Sequence, residues 1–190
     1  MTPLPPLAPL SEEEGRALLS LARQAVCAAA ARTPLPDPGP EPDRLQRAQG
    51  AFVTLRQGHQ LRGCIGVVVS RKSLAATVVR CAAAAASEDP RFAPVTQEEV
   101  SGLEVEISVL ETPREVRDLD AIEVGRHGLL ITLGSRQGLL LPQVAVERGW
   151  DRTTFLRETC RKADLDPDAW RDGARIEVFG AQVIPAPGTD

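Results

Sequence analysis

Tyrosine is absent from this chain of 190 residues, and aromatic residues make up only 3% of it. A tyrosine nucleophile or acid–base group is therefore excluded, and a stacking platform for single-stranded nucleic acid is disfavoured. Lysine is also scarce, since Lys72 and Lys162 are the only two. The net charge is −4 and no long basic run occurs, so nucleic acid is not an expected partner.

Long apolar runs and closely spaced cysteines are missing as well. No stretch reaches the roughly 20 uncharged residues that a membrane span needs, so no membrane association is expected. The four cysteines include no CxxC pair, and only two histidines could join them, so neither a metal nor a cofactor is predicted. The N-terminus opens with prolines instead of a secretory apolar core. We therefore expect a cytoplasmic protein with free thiols.

The pattern of the first half predicts a helix followed by a strand–strand–helix–strand series. Ser11 and Glu14 have the spacing of a capping box, which predicts a helix that ends near Arg32. Proline then occupies every second position from Pro34 to Pro42, which predicts a stiff connector. Alternation and helical spacing predict strands at 51–56 and 61–69, a helix at 73–87 and a strand at 103–110.

The second half follows the same order of elements. Its predicted elements are a hairpin of strands 128–133 and 138–141, a helical turn at 143–148, a helix from Asp151 to about Ala163, and one closing strand at 175–184. The sequence GAFVTL at 50–55 resembles GLLITL at 128–133, which favours an internal duplication. The predicted fold is α+β, with two similar β-hairpin/α/β units packed as one domain, plus an N-terminal helix.

These patterns also predict the organisation of the chain. We expect a flexible N-terminus at 1–10, one domain at 11–184 and a tail at 185–190. Within the domain, the halves span about 50–112 and 127–184, and the proline-rich connector spans 33–43.

The segment Leu61-Arg62-Gly63-Cys64-Ile65-Gly66 is the most informative for chemistry. Glycines within a strand mark a bulge or a close approach of other atoms. If no bulge intervenes, Arg62 shares a strand face with Cys64 and can lower the pKa of its thiol. The alternative is that Cys64 is a small, buried and inert side chain.

Three other places offer polar side chains. Glu88 and Asp89 can serve as acid–base groups or bind a hard metal ion, or Asp89 can pair with Arg91 while Phe92 fills the core. His127 precedes a strand and is either a general base or a hydrogen-bonded structural residue. Gln143 can bind a ligand or the backbone, and His59, in a hairpin turn, is expected to be solvated.

The ordered set of motifs resembles the AMMECR-type domain over about residues 11–184. The matching segments are LRGCIG (61–66), EDPRF (88–92), LEVEISVL (103–110), EVGRHGLLI (123–131), GLLLPQVAVERGWD (138–151), FLRETCRKADL (155–165) and DAW (168–170). The resemblance implies two similar β-α-β-β units with an extra N-terminal helix. It implies no established activity, but it places the chain beside Memo-like and radical-SAM proteins in an AmmeMemoRadiSam system.

The resemblance also implies which positions matter. We expect them to line one cleft between the halves: Arg62, Gly63, Cys64, Gly66, Asp89, Arg91, His127 and Gln143. One hypothesis is an interaction or substrate-handling component of that system. The alternative is an enzyme with Cys64 as nucleophile, Arg62 lowering its pKa and His127 as base.

Overall fold

The computed structural model describes residues 8–40, 42–58 and 60–186. Predictions for residues 1–7, for the end of the tail at 187–190 and for His59 therefore lie outside the described residues. The chain divides into two compact units, which are described separately. The first runs to Leu110 and resumes at Gln182, and the second is Glu111–Ala181.

The described chain contains five α-helices and eight strands, with short 3-10 turns between some of them. In chain order they are α1 (Glu12–Ala31), α2 (Asp43–Gln46), β1 (Ala51–Gln57), β2 (Gln60–Val67), α3 (Leu74–Ser87), β3 (Leu103–Leu110), β4 (Arg114–Glu115), β5 (Gly128–Leu133), β6 (Arg136–Leu140), α4 (Pro142–Glu147), α5 (Arg152–Lys162), β7 (Arg175–Phe179) and β8 (Ala181–Ile184). The α+β class predicted from the sequence is confirmed.

The two long helices of the first unit are bounded by capping residues. The Ser11 hydroxyl accepts from the backbone N–H of Glu14, and the Glu14 carboxylate accepts from that of Ser11, so the predicted capping box is present. The helix α1 ends at Ala31 and is capped by Arg32, whose φ of 55° is left-handed. Ser73 caps α3 by accepting from the N–H of Ala76.

The first sheet has the strand order β2-β1-β3-β8, and β1 pairs antiparallel with both β2 and β3. Alternate residues of β1 and β3 are fully or almost fully buried and belong to one apolar cluster with α1 and α3: Ala51, Val53, Leu55, Val105, Ile107 and Val109. Phe52 and Thr54 therefore lie on the opposite face of β1, because side chains alternate along a strand. That second face carries the candidate site.

The second sheet has the order β4-β7-β5-β6. As in the first unit, a hairpin is followed by a helix and then by a strand that pairs antiparallel with the first strand of the hairpin. Leu129, Ile131, Phe155, Leu156 and Val178 form the centre of a separate apolar cluster. An origin of the two units by duplication stays a prediction.

The closing strand predicted at 175–184 was wrong as a single element. It consists of β7 in the second sheet and β8 in the first, with Gly180 between them. The N–H of Gly180 donates to the carboxylate of Glu111 at 3.2 Å, and a Cβ at Gly180 would lie 2.7 Å from that carboxyl group. The residues from Val178 to Ile184 are mostly apolar, so the sequence pattern hid the change of sheet.

Candidate functional site

Cys64 lies on β2, which is an edge strand, and side chains take the place of the missing neighbouring strand. The Asp89 carboxylate accepts from the backbone N–H of Cys64 at 2.8 Å, and the Arg91 guanidinium donates to the Cys64 carbonyl at 3.3 Å. An uncovered edge would leave both groups unpaired. The contacts also show that Thr54 and Cys64, which are register partners, form a non-hydrogen-bonded pair with close side chains.

Asp89 and Arg91 also bind each other, which fixes both side chains beside the Cys64 backbone. The Arg91 guanidinium donates to both carboxylate oxygens of Asp89, at 2.6 and 2.9 Å, and the Asp89 side chain is 2% exposed. These hydrogen bonds, with the N–H of Cys64, hold the pKa of Asp89 well below its usual range, although burial acts in the opposite direction. The predicted pairing of Asp89 with Arg91 is therefore present, and a ligand-binding role for these residues stays a prediction.

The expected place of Phe92 in the core was wrong. Its ring is only half-buried, and the Arg91 guanidinium lies 5.4 Å from its centre. Val95, three residues later, is the residue of this loop that enters the core. The pairing of Arg91 with Asp89 fixes the cation over the aromatic ring, which keeps Phe92 near the surface.

The side chain of Arg62 does not lie beside that of Cys64 on one strand face, because a β-bulge lies between the two residues. Leu55 pairs with Gly63 and Arg56 with Leu61, so Arg62 has no register partner. Its guanidinium instead binds both oxygens of Glu99, at 2.8 and 3.1 Å, and donates to the carbonyls of Ala93 and Pro94. The positive charge expected to act on the thiol is therefore neutralised by Glu99.

The Cys64 thiol is half-buried and belongs to a row of three side chains across the sheet. Thr54 pairs with Cys64 on one side and with Glu106 on the other. The Thr54 hydroxyl donates to Sγ of Cys64 at 3.4 Å. Within the described part of the chain, the half-buried Glu106 carboxylate makes no hydrogen bond or ion pair. The row therefore presents a thiol, a hydroxyl and an uncompensated negative charge.

The two glycines of the motif permit close contacts within the protein. A Cβ at Gly63 would lie 2.2 Å from the backbone oxygen of Ala85, near the end of α3. A Cβ at Gly66 would lie 2.3 Å from the ring of its register partner Phe52. The predicted close approach is confirmed, and the approaching groups are a helix end and an aromatic ring.

His127 is 5% exposed and anchored to its own turn. Its ring Nδ1 accepts from the backbone N–H of Glu123 at 3.1 Å. The backbone N–H of His127 donates to the Glu123 carbonyl at 2.9 Å. Burial, followed by the charge of Arg114, lowers the pKa of His127. A neutral ring whose Nδ1 accepts carries its proton on Nε2, so Nε2 has no lone pair with which to act as a base.

The predicted positions fall into the two units. Residues of LRGCIG and EDPRF meet around Cys64 in the first unit, whereas His127 and Gln143 belong to the second. Gln143 is half-buried near the start of α4, and its side chain makes no hydrogen bond within the described residues. A cleft shared by both groups stays a prediction.

Sequence reasoning missed three partners in these sites. Glu99 is the first: its carboxylate accepts from the N–H of Thr96 and also binds Arg62. Glu106 and Arg114 were not predicted as site residues either, because no chemical pattern in the neighbouring sequence marks them. The alternation of β3 was the available signal for Glu106, since it places the residue on the face opposite the core.

The described residues lack the features of a metal site and of a membrane span. No three His, Cys, Asp or Glu side chains there lie close enough together to hold a metal ion. None of the helices in that part of the chain combines the length and apolar character needed to cross a bilayer.

The four thiols should differ sharply in reactivity. Cys27 is exposed and Cys64 is half-buried, whereas Cys81 and Cys160 are buried. Burial raises the pKa of Cys81 to about 11 and also raises that of Cys160. We expect iodoacetamide to label Cys27 and Cys64 in the native protein, and the other two only after unfolding. Mass spectrometry of the labelled peptides measures this, and modification of Cys81 in the folded chain would contradict it.

Acid should destabilise the protein through Glu99 and Asp89. Hydrogen bonds from Arg62 lower the pKa of Glu99 from 4.5 to about 2, and Asp89 is shifted in the same direction. The unfolded chain therefore binds more protons in acid, so the stabilisation is present above about pH 4.5 and is lost as the pH falls towards 2. Urea unfolding measured at a series of pH values from about 4.5 down to about 2 should give a free energy of unfolding that falls as the pH falls. Glu99→Gln should flatten this slope, and an unchanged slope would contradict the assignment.

Comparison with known proteins agrees with this architecture. The sequence model of the AMMECR1 family matches residues 19–184. A protein of Methanothermobacter thermautotrophicus is 43% identical over 192 aligned residues, covering 95% of this chain and 98% of its own, and one of Methanosarcina mazei is 41% identical, covering 92% of each. The crystal structure of the uncharacterized protein PH0010 from Pyrococcus horikoshii has 39% identity, a TM-score of 0.86 and 92% coverage of each chain. The chain belongs to the AMMECR1 family.

Proposed function

We propose that this protein is an interaction or substrate-handling component of a system with Memo-like and radical-SAM proteins, and that it has no catalysis of its own. One observation carries the proposal. The hydrogen-bond partner of the Cys64 thiol is the Thr54 hydroxyl, and no imidazole or carboxylate of the described residues is bonded to Sγ. A thiol without an adjacent base lacks the arrangement that activates cysteine nucleophiles.

The same region has the properties of a binding surface. The backbone of Cys64 is fixed on the outer side by Asp89 and Arg91, and the neighbouring residues Gly63 and Ile65 pair with β1 on the inner side. Binding to a rigid surface costs little conformational entropy. The unpaired Glu106 beside Thr54 supplies a charge that a partner can complement, which favours one partner over others.

The test is binding of the purified full-length chain to the Memo-like and radical-SAM proteins encoded in the same genome. Isothermal titration calorimetry should show saturable binding to at least one of them. Glu106→Gln should weaken that binding about tenfold, because it removes the unpaired charge and keeps the shape.

The matched control is Glu104→Gln, two residues earlier on the same strand face. It should change the affinity much less than Glu106→Gln, because its residue lies opposite Arg56 and away from Cys64. Absence of binding to either protein would overturn the proposal. Equal effects of the two variants on the affinity would show that the contact surface does not include Glu106.

The second candidate function is an enzyme with Cys64 as nucleophile. The half-buried thiol favours it, since solvent reaches Sγ and the Thr54 hydroxyl donates to it. The rate of iodoacetamide labelling at neutral pH, compared between Cys64 and exposed Cys27, distinguishes the two functions. The binding role predicts that Cys64 reacts no faster than Cys27, whereas much faster labelling of Cys64 would support the nucleophile.

A further inference from the structure

The turn before β5 fixes the proton of a buried histidine. The ring Nδ1 of His127 accepts from the backbone N–H of Glu123 at 3.1 Å, and the backbone N–H of His127 donates to the Glu123 carbonyl at 2.9 Å. A neutral imidazole has one donor nitrogen and one acceptor nitrogen. Since Nδ1 is the acceptor, Nε2 carries the hydrogen and can only donate.

This Nε2–H meets a second donor. Nη2 of Arg114 lies 3.4 Å from Nε2 of His127, and a guanidinium has donors but no acceptor. The two groups therefore converge without an acceptor between them. His127 is 5% exposed, so its ring has little access to solvent, whereas Arg114 is exposed.

The carboxylates around this pair are engaged elsewhere. Glu123 binds Arg126 through both of its oxygens, at 3.1 and 3.2 Å, and Glu111 accepts from the N–H of Gly180. Within the described residues, Arg114 has no carboxylate oxygen within ion-pair distance. The second unit thus holds two convergent donors, one of them charged, that lack an acceptor.

We propose that Arg114 and His127 form a binding site for a carboxylate group of a small organic acid. The carboxylate accepts from Nη2–H of Arg114 and from Nε2–H of His127, through one oxygen or through both. A charged donor strengthens such hydrogen bonds, and the planar guanidinium matches the planar carboxylate. The exposed arginine provides the route from solvent, and the buried imidazole provides a neutral donor of fixed direction.

This proposal is independent of the binding role of the Cys64 region, because all of its residues belong to the second unit. It also predicts a response that a purely structural histidine would not give. The groups that act on His127 are the cations Arg114 and Arg126 and the anions Glu123 and Glu111. A bound carboxylate adds negative charge beside Arg114, so it must raise the pKa of His127.

Nitrogen NMR of the full chain tests the site, since the protein contains only two histidines. Long-range ¹H–¹⁵N spectra identify the tautomer of each ring, and a His59→Gln variant assigns the signals. We expect the Nε2–H tautomer for His127. Sodium acetate, titrated at constant ionic strength with sodium chloride, should shift the His127 signals saturably and raise its pKa.

The variants separate the site from general charge effects. Arg114→Gln should weaken acetate binding about tenfold. Arg117→Gln removes the same charge from a residue whose side chain is 93% exposed and contacts Glu115, so it should bind acetate like the parent chain. If Arg114→Gln fails to fold, Arg114→Lys, which keeps the charge and loses the planar fork, should show intermediate affinity.

Three results would overturn the proposal. One is an Nδ1–H tautomer, and another is a shift with acetate that does not saturate. The third is tighter binding of inorganic phosphate than of acetate, which would assign the site to tetrahedral anions.

Discussion

Gly63→Ala is expected to destabilise the protein by about 3 kcal/mol, at the upper end of the usual cost of overpacking. The added Cβ would lie 2.2 Å from the backbone oxygen of Ala85, and neither the strand nor the helix end can yield by rotating a side chain. For a chain of this length, such a loss lowers the melting temperature by roughly 6–12 °C. Calorimetry or urea unfolding measures it.

Gly102→Ala is the matched control for this substitution. A Cβ there would meet nothing within 4 Å, and the residue does not have the left-handed φ that disfavours alanine. Its free energy of unfolding should change by no more than about 0.5 kcal/mol. Equal effects of the two substitutions would show that the contact between α3 and β2 is not as tight as described.

Asp89→Asn should lower the free energy of unfolding by about 2–3 kcal/mol at neutral pH. The amide is close in shape to the carboxylate, but it is uncharged and one of its two polar atoms is an NH₂ donor. The bonds accepted by one carboxylate oxygen from Arg91 and the Cys64 N–H are therefore lost or weakened on one side, and the remaining ones lose their ionic component. The half-exposed Arg91 is partly solvated, which keeps the loss below that of a fully buried pair. Hydrogen exchange of β2 should become faster, because its edge is no longer held.

Glu88→Gln provides the comparison for Asp89→Asn, since it neutralises the adjacent carboxylate. Glu88 is about half-exposed and pairs with Arg80 on the surface, so its loss should cost less than about 1 kcal/mol. If the two variants lose the same free energy of unfolding, the assignment of Asp89 to holding the strand edge is wrong.

Local signals in the sequence predicted most of the fold. The capping box at Ser11 and the caps at Ser73 and Asp151 directly satisfy backbone groups near them in the chain, so short patterns reveal them. The alternation in β1 and β3 likewise reports which face meets the helices. The change of sheet at Gly180 left no such signal, because the residues on both sides of it are mostly apolar.

The candidate site was predicted less completely, because its contacts join distant segments. The spacing of Arg62 and Cys64 predicted one face, but the bulge turned Arg62 towards Glu99, 37 residues later. A bulge depends on the pairing of two strands, which no single segment encodes. The link from Asp89 to the Cys64 backbone likewise depends on where α3 ends relative to the edge of the sheet.

The most direct test of the binding role is protection of Cys64 by a partner. Iodoacetamide labelling of the full chain, with and without the Memo-like and radical-SAM proteins, compares two accessible thiols in one sample. We predict that a bound partner slows labelling of Cys64 and leaves that of Cys27 unchanged. Equal labelling of Cys64 with and without saturating amounts of both proteins would contradict the proposed function.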